Sequence, residues 1–152
     1  KLRTADPWNY IAYMNNTSAG NSGAGYWNNT APTATHFTVG NNEAQSYYGI
    51  MFILWCSVPG ICKIDAYDGD GGTTNQVNCG FQPRYVMIKR VDSSGDWKIW
   101  DYSRGNNVLR LNLTNGQVND VLVSFTSTGF TLISPDATVN ASGGRYIYHA
   151  QA

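Results

Sequence analysis

Apolar and polar residues alternate with period two along much of this chain. Ten segments carry the alternation: 9–14, 35–39, 62–67, 76–79, 84–91, 96–102, 108–113, 121–125, 130–133 and 145–149. A period of two puts successive side chains on opposite faces of an extended strand. Between these segments lie stretches rich in Gly, Asn, Asp and Ser, at 18–25, 68–72, 93–95, 104–107, 115–116 and 142–144. Gly and Asn there supply positive φ at low cost. Ten short strands broken by such turns, with no helical period, predict an all-β chain of β-sandwich or jelly-roll type. One run departs from the pattern. Residues 47–56 are apolar on both faces, which predicts a strand buried between layers or at a subunit contact. A short buried helix is the alternative.

The two halves of the chain resemble each other. Leu2-Arg3-Thr4 followed by Asp6-Pro7-Trp8-Asn9-Tyr10 parallels Lys89-Arg90-Val91 followed by Asp96-Trp97-Lys98-Ile99-Trp100. Thr35-His36-Phe37-Thr38-Val39 parallels Thr128-Gly129-Phe130-Thr131-Leu132, and Ile50-Met51-Phe52-Ile53-Leu54 parallels Arg145-Tyr146-Ile147-Tyr148-His149. Three matches in the same order predict a duplicated unit. The chain then divides into a partial repeat at 1–60 and a complete one at 61–152. The first lacks a counterpart of 62–88, so its sheet would have open edges. Earlier residues of the polypeptide, or another subunit, are expected to complete it. A further repeat directly upstream of Lys1 is expected.

Composition narrows the function. Formal net charge is zero and only 13% of residues are charged. Nucleic acid and anionic membrane both call for a basic surface, so neither is expected as the partner. The apolar run at 47–56 is about half a membrane span, so no membrane insertion is expected. A single glutamate, Glu43, and four lysines leave little material for helix surfaces, while ten tyrosines and five tryptophans favour strands. The start of the chain carries neither Met nor a signal-peptide pattern, and the expectation is a fragment of a longer polypeptide. Cys56, Cys62 and Cys79 are an odd set. A Cys56–Cys62 bridge would close a short loop; otherwise all three serve as small, half-buried apolar residues.

A further likeness lies in a long string of residues. It includes Ser57-Val58-Pro59-Gly60, Lys63, Tyr67 with the turn at 68–72, Cys79-Gly80-Phe81 and Val86-Met87-Ile88-Lys89-Arg90. It continues through Asp92-Ser93-Ser94-Gly95-Asp96-Trp97, Trp100-Asp101, Arg104-Gly105 and Asn140-Ala141-Ser142-Gly143-Gly144-Arg145-Tyr146-Ile147. Together these resemble a repeated domain of structural and tail-associated proteins of tailed phages, many of them marine. Tyr26-Trp27-Asn28-Asn29-Thr30-Ala31-Pro32-Thr33 resembles the preceding repeat of such proteins. The resemblance implies a virion-surface location, tandem repeats, association with other virion subunits, and contact with the host. It implies no catalytic residues. It also implies that Ala152 closes the polypeptide. Two departures stand out: the turn after Tyr67 is acidic where relatives carry Thr and Asn, and Cys62 stands where serine is more frequent.

The candidate chemistry is sparse. Asp65, Asp68 and Asp70 surround a Gly-rich turn and could hold calcium through oxygen ligands. A plain hairpin turn accounts for the same residues, and no other cofactor is expected. Asp92, Asp96 and Asp101 flank a Trp-containing turn, but a glycosidase needs two carboxylates facing across a cleft. Neither His36 nor His149 stands in a triad or metal-ligand spacing. An enzyme is therefore not expected. Alternation at 97–100 sends Trp97 and Ile99 to one face and Lys98 and Trp100 to the other, so one Trp is expected outside the core. Trp100 with Arg104, Asn106 and Asn107, and Trp27 with Asn28 and Asn29, are the candidate glycan or partner contacts. The expected function is a non-enzymatic fibre or receptor-binding module that contacts a host-surface glycan, with a trimeric assembly. A capsid or tail decoration protein, and a cellular carbohydrate-binding module or adhesin, are the alternatives.

Overall fold

The computed structural model describes residues 9–41 and 53–152. Eleven strands occur among them: β1 (Tyr10–Ile11), β2 (Asn21–Ser22), β3 (Cys62–Asp68), β4 (Asn75–Asn78), β5 (Tyr85–Arg90), β6 (Trp97–Asp101), β7 (Asn107–Arg110), β8 (Val118–Asn119), β9 (Val123–Thr126), β10 (Gly129–Leu132) and β11 (Arg145–Gln151). A four-residue helix, α1 (Ala24–Trp27), and a 3-10 turn at Tyr102–Arg104 accompany them. The all-β expectation holds. A six-stranded sheet runs β3-β11-β5-β6-β7-β8 and a three-stranded sheet runs β4-β10-β9. All pairings in both sheets are antiparallel.

The sheets form a sandwich because their alternating residues share one core. Val86 and Ile88 of β5, Trp100 of β6, Val108 of β7 and Tyr146, Tyr148 and Ala150 of β11 come from the large sheet. Val77, Val123, Phe130 and Leu132 come from the small one. Across the β3–β11 pairing Tyr67 lies opposite Tyr146, and their rings stack with centroids 5.0 Å apart. Phe130 meets Tyr148 edge-on at 5.4 Å, the arrangement that the ring quadrupoles favour. Each buried phenol also finds a partner. Tyr67 donates to the Val139 carbonyl at 2.7 Å, and Tyr146 donates to the Ala137 carbonyl at 2.8 Å. Gly129 is required by proximity, since a Cβ there would stand 2.0 Å from the Val77 carbonyl oxygen on the neighbouring strand.

The opposite face of the large sheet is covered as well. Residues 9–22 cross it and are tied down at four points. Trp97 donates its indole N–H to the Tyr13 carbonyl at 2.7 Å. The Lys89 ammonium donates to the Thr17 and Gly95 carbonyls at 3.1 and 2.6 Å. Gly20 donates to Val91 at 2.9 Å, and Gly95 donates to Thr17 at 2.8 Å. Lys89 is fully buried, and these carbonyls take the place of its water.

Four expectations need correction. Trp97 and Trp100 do lie on opposite faces, yet neither is exposed: Trp100 is at 0% and Trp97 at 6%. The premise of a solvent-facing side fails because the segment 9–22 lies over it. Residues 35–39 form no strand. The Thr33 hydroxyl accepts from the Thr35 and His36 backbone N–H groups, and Thr33 N–H donates to the His36 carbonyl. Those local bonds bend the chain out of an extended course, so the match between 35–39 and β10 is not a structural one. The apolar run at 47–56 lies outside the described residues up to Phe52. Its remainder is neither a strand nor buried, with Ile53 at 61% and Leu54 at 71% exposure. Finally, β2 and α1 fall in a stretch that reads as a turn.

The outer edge of β3 is partly satisfied from within the chain. Val58 exchanges both backbone bonds with Cys62. The Ser57 hydroxyl accepts from Ile64 N–H at 2.9 Å and donates to Ile64 carbonyl oxygen at 3.3 Å. The Asp65 carboxylate accepts from Ala66 N–H, and Asn75 donates to the Asp68 carbonyl.

Trp100→Ala should lower the unfolding free energy by about 3–5 kcal/mol, the usual cost of emptying a Trp-sized core site. Urea titration followed by far-ultraviolet circular dichroism measures it; a loss under about 1 kcal/mol would contradict the packing described.

Candidate functional site

A cleft of about 520 Å³ opens between the outer face of the large sheet and the N-terminal segment. Alternation in β3, β5 and β11 builds its floor, from Ile64, Met87, Ile147 and His149. The wall comes from residues 10–14 and Trp27, and Trp55 stands at the side. Trp27 donates its indole N–H to the Tyr10 carbonyl at 3.0 Å, as Trp97 does to Tyr13. With those polar edges occupied, both indoles offer the cleft hydrocarbon and π surface. Trp55 is 56% exposed and tilts against His149 at a centroid distance of 5.8 Å. Tyr85 meets the other side of His149 at 5.7 Å. Burial among these rings lowers the His149 pKa. Asp65 borders the cleft, but alternation along β3 turns its side chain to the face of Tyr148, where it pairs with Lys63 at 3.6 Å.

The residues singled out from the sequence are placed separately. Trp27 lines the cleft. Asn28 and Asn29 follow it on the surface, both in the left-handed region at φ 50° and 49°. Trp100 cannot contact a ligand, because it is enclosed between the sheets. Arg104, Asn106 and Asn107 close the β6–β7 turn and do not line the cleft. Arg104 is held by the Asp101 carboxylate, Asn107 donates to the Arg104 carbonyl at 3.1 Å, and Asn106 offers its carbonyl to Asp120 N–H at 2.9 Å. The two predicted contact groups therefore do not form one surface. Trp55, Tyr10 and His149 were missed as site residues. Trp55 lay inside an apolar run that reads as buried, and His149 reads as an ordinary strand residue.

The acidic turn is built for structure. Asp70 accepts from Gly72 N–H at 2.7 Å and from the Asn140 amide at 2.8 Å. Those bonds lower its pKa. Asn140 is fully buried, and it also donates to Gly72 O and accepts from Asp70 N–H and the Asn75 amide. Asp68 instead pairs with Arg145 across the strands at 2.6 Å, and Asp65 faces Lys63. Among the described residues no group of three or more His, Cys, Asp or Glu side chains converges on a metal position. The second acidic set is likewise divided. Asp92 is gripped by both arms of Arg90 at 3.0 Å, which lowers its pKa. Asp96 pairs with Arg110 at 3.4 Å, and Asp101 pairs with Arg104.

Fold and cleft define a class: an antiparallel β-sandwich whose large sheet is covered on both faces, with an aromatic-walled cleft under its N-terminal segment. The chain belongs to the family described as Domain of unknown function (DUF7483), whose model matches residues 2–152. No curated protein and no solved structure matches the chain.

Millimolar calcium should leave the melting temperature unchanged; an upward shift would restore the three aspartates as a metal site. The depressed His149 pKa predicts a second effect. As pH falls below about 6.5 the unfolded chain takes up a proton before the folded chain does, so stability declines. The loss levels off below the folded pKa. Asp92 acts in a lower window, losing its contribution as pH falls through its own depressed pKa. Urea midpoints between pH 4.5 and 8 should show the first decline in the parent chain, and His149→Gln should flatten it.

Proposed function

We propose that this chain is a non-enzymatic module of a tailed-phage virion surface, and that its aromatic cleft receives a host-surface glycan. The observation that carries the reading is the make-up of the cleft. A sugar ring presents C–H groups on its faces and hydroxyls around its rim, and aromatic rings beside a few polar groups suit both. Trp27, Trp55 and Tyr10 supply the rings, and His149 supplies a polar group. The separate Arg partners of Asp92, Asp96 and Asp101 support a binding role over hydrolysis. The virion location and the association with other subunits, as a trimer in a fibre, are supported by the resemblance of 57–147 to phage tail-associated repeats.

A second reading, a cementing role on the capsid or tail, is favoured by one specific feature. Ile53, Leu54, Trp55, Ile61 and Ile64 are all exposed and close in sequence. An apolar set of this kind suits a neighbouring subunit. Position and copy number on the particle separate the two readings: few copies at a tail tip for the first, regular coverage for the second.

A glycan array should identify a bound saccharide, and Trp55→Ala should weaken it at least tenfold, roughly 1.4 kcal/mol. Trp55 is exposed, so the melting temperature should barely move. Retention of full affinity by both Trp55→Ala and Trp27→Phe would remove the cleft from the account, and binding to no glycan would turn the choice to the cementing role.

A further inference from the structure

Three thiols sit in three different settings. Cys79 is buried in the sandwich core, and desolvation pushes its pKa up to about 11. Thiolate is the reactive form, so Cys79 is protected twice, by burial and by protonation. Cys56 is exposed and Cys62 is half-buried, and all three are free. The latter two are close. The Cys62 thiol donates to the Cys56 carbonyl oxygen at 2.9 Å. The intervening chain is folded back on itself, since Val58 and Cys62 exchange both backbone bonds and Gly60 turns the loop at φ 75°. One sulfur thus rests against the backbone of the other cysteine. Rotation of the Cys56 side chain, with settling of its segment, is the motion that a bridge requires.

We infer that Cys56 and Cys62 are a reversible redox pair that closes when the chain meets a low-molecular-weight disulfide. One cysteine thiolate attacks the small disulfide, forming a mixed disulfide and expelling one small thiolate. The second cysteine thiolate attacks the protein sulfur of that intermediate, expelling the other small thiolate. Two cysteines are oxidised, one disulfide is reduced to two thiols, and the two protons lost by the cysteines end on those thiols. Loop-closure entropy grows with loop length, and this loop is short, so the bond adds less stability than a long-range bridge would and is more open to reduction. That makes it a switch more than a staple. Its position gives it a target. Cys56 follows Trp55, and Cys62 opens β3, which sends Ile64 into the cleft. Closing the pair fixes the segment carrying Trp55 against the cleft edge. This last consequence rests on the binding reading above; the thiol chemistry does not.

The test is treatment of the native chain with excess oxidised glutathione, then alkylation under denaturing conditions and peptide mass mapping. The expected result is one alkylated cysteine, Cys79, and a peptide holding Cys56 and Cys62 that is two hydrogens lighter than its reduced form. Three alkylated cysteines, a persistent glutathione adduct on Cys56, or a chain-to-chain dimer through Cys56 would overturn the pair. Cys62→Ser should convert the internal link into a stable adduct on Cys56. Glycan affinity is then compared between oxidised and reduced protein, with a change of several-fold expected. A closed pair with unchanged affinity would overturn the coupling to the cleft and leave the redox pair intact.

Discussion

Strand β11 is fully buried on one face and half-buried on the other, and the rest of the molecule follows from that constraint. Tyr146, Tyr148 and Ala150 enter the sandwich core. Ile147 and His149 point the other way, into the cleft beneath the N-terminal segment. A strand near the middle of a sheet with one wet face shows polar residues at every second position. Here the second face carries Met87, Trp97, Ile147 and a buried lysine, and residues 9–22 cover part of it, leaving Met87, Ile147 and His149 half-buried in the cleft. The N-terminal segment therefore serves as a cover over that face, although none of residues 9–22 is itself buried and its regular structure is limited to β1 and β2.

Polar groups inside the molecule set its geometry more narrowly than the apolar contacts do. Lys89 has two carbonyl partners from two different segments. Asn140 joins the 68–72 turn to the loop before β11 with all its hydrogen-bonding capacity directed inward. Such groups cost several kcal/mol if left unpaired, so each rejects alternative arrangements of the loops that it joins. This also explains the acidic turn. Asp70 is there to receive an amide and a backbone N–H, a task that needs one carboxylate and no ion.

The C-terminal strands were legible in the sequence because their alternation is local. The observed β3, β5, β6, β10 and β11 begin and end within two residues of the positions that the pattern gives. What alternation cannot report is whether the second face meets water. For Trp97 that depended on a segment more than eighty residues away. Residues 35–39 show the opposite failure: a strand-like composition was overruled by the Thr33 side chain, whose bonds to nearby backbone are invisible to a period-two reading. The site was less legible than the fold. Of the named contacts only Trp27 lines the cleft, because a cleft is assembled from separate elements and its members share no spacing.

The bonding along β3 has a consequence for how copies of this chain meet. Ser57 and Val58 occupy the backbone groups at the start of that edge, Asp65 covers the N–H of its neighbour, and Asn75 closes the far end. An edge occupied in this way does not invite another strand to extend the sheet. Were copies to lie side by side along β3, they would engage through side chains, with alignment dictated by shape and charge instead of a continuous ladder of peptide groups. Lateral growth of the large sheet is thereby checked on its β3 side.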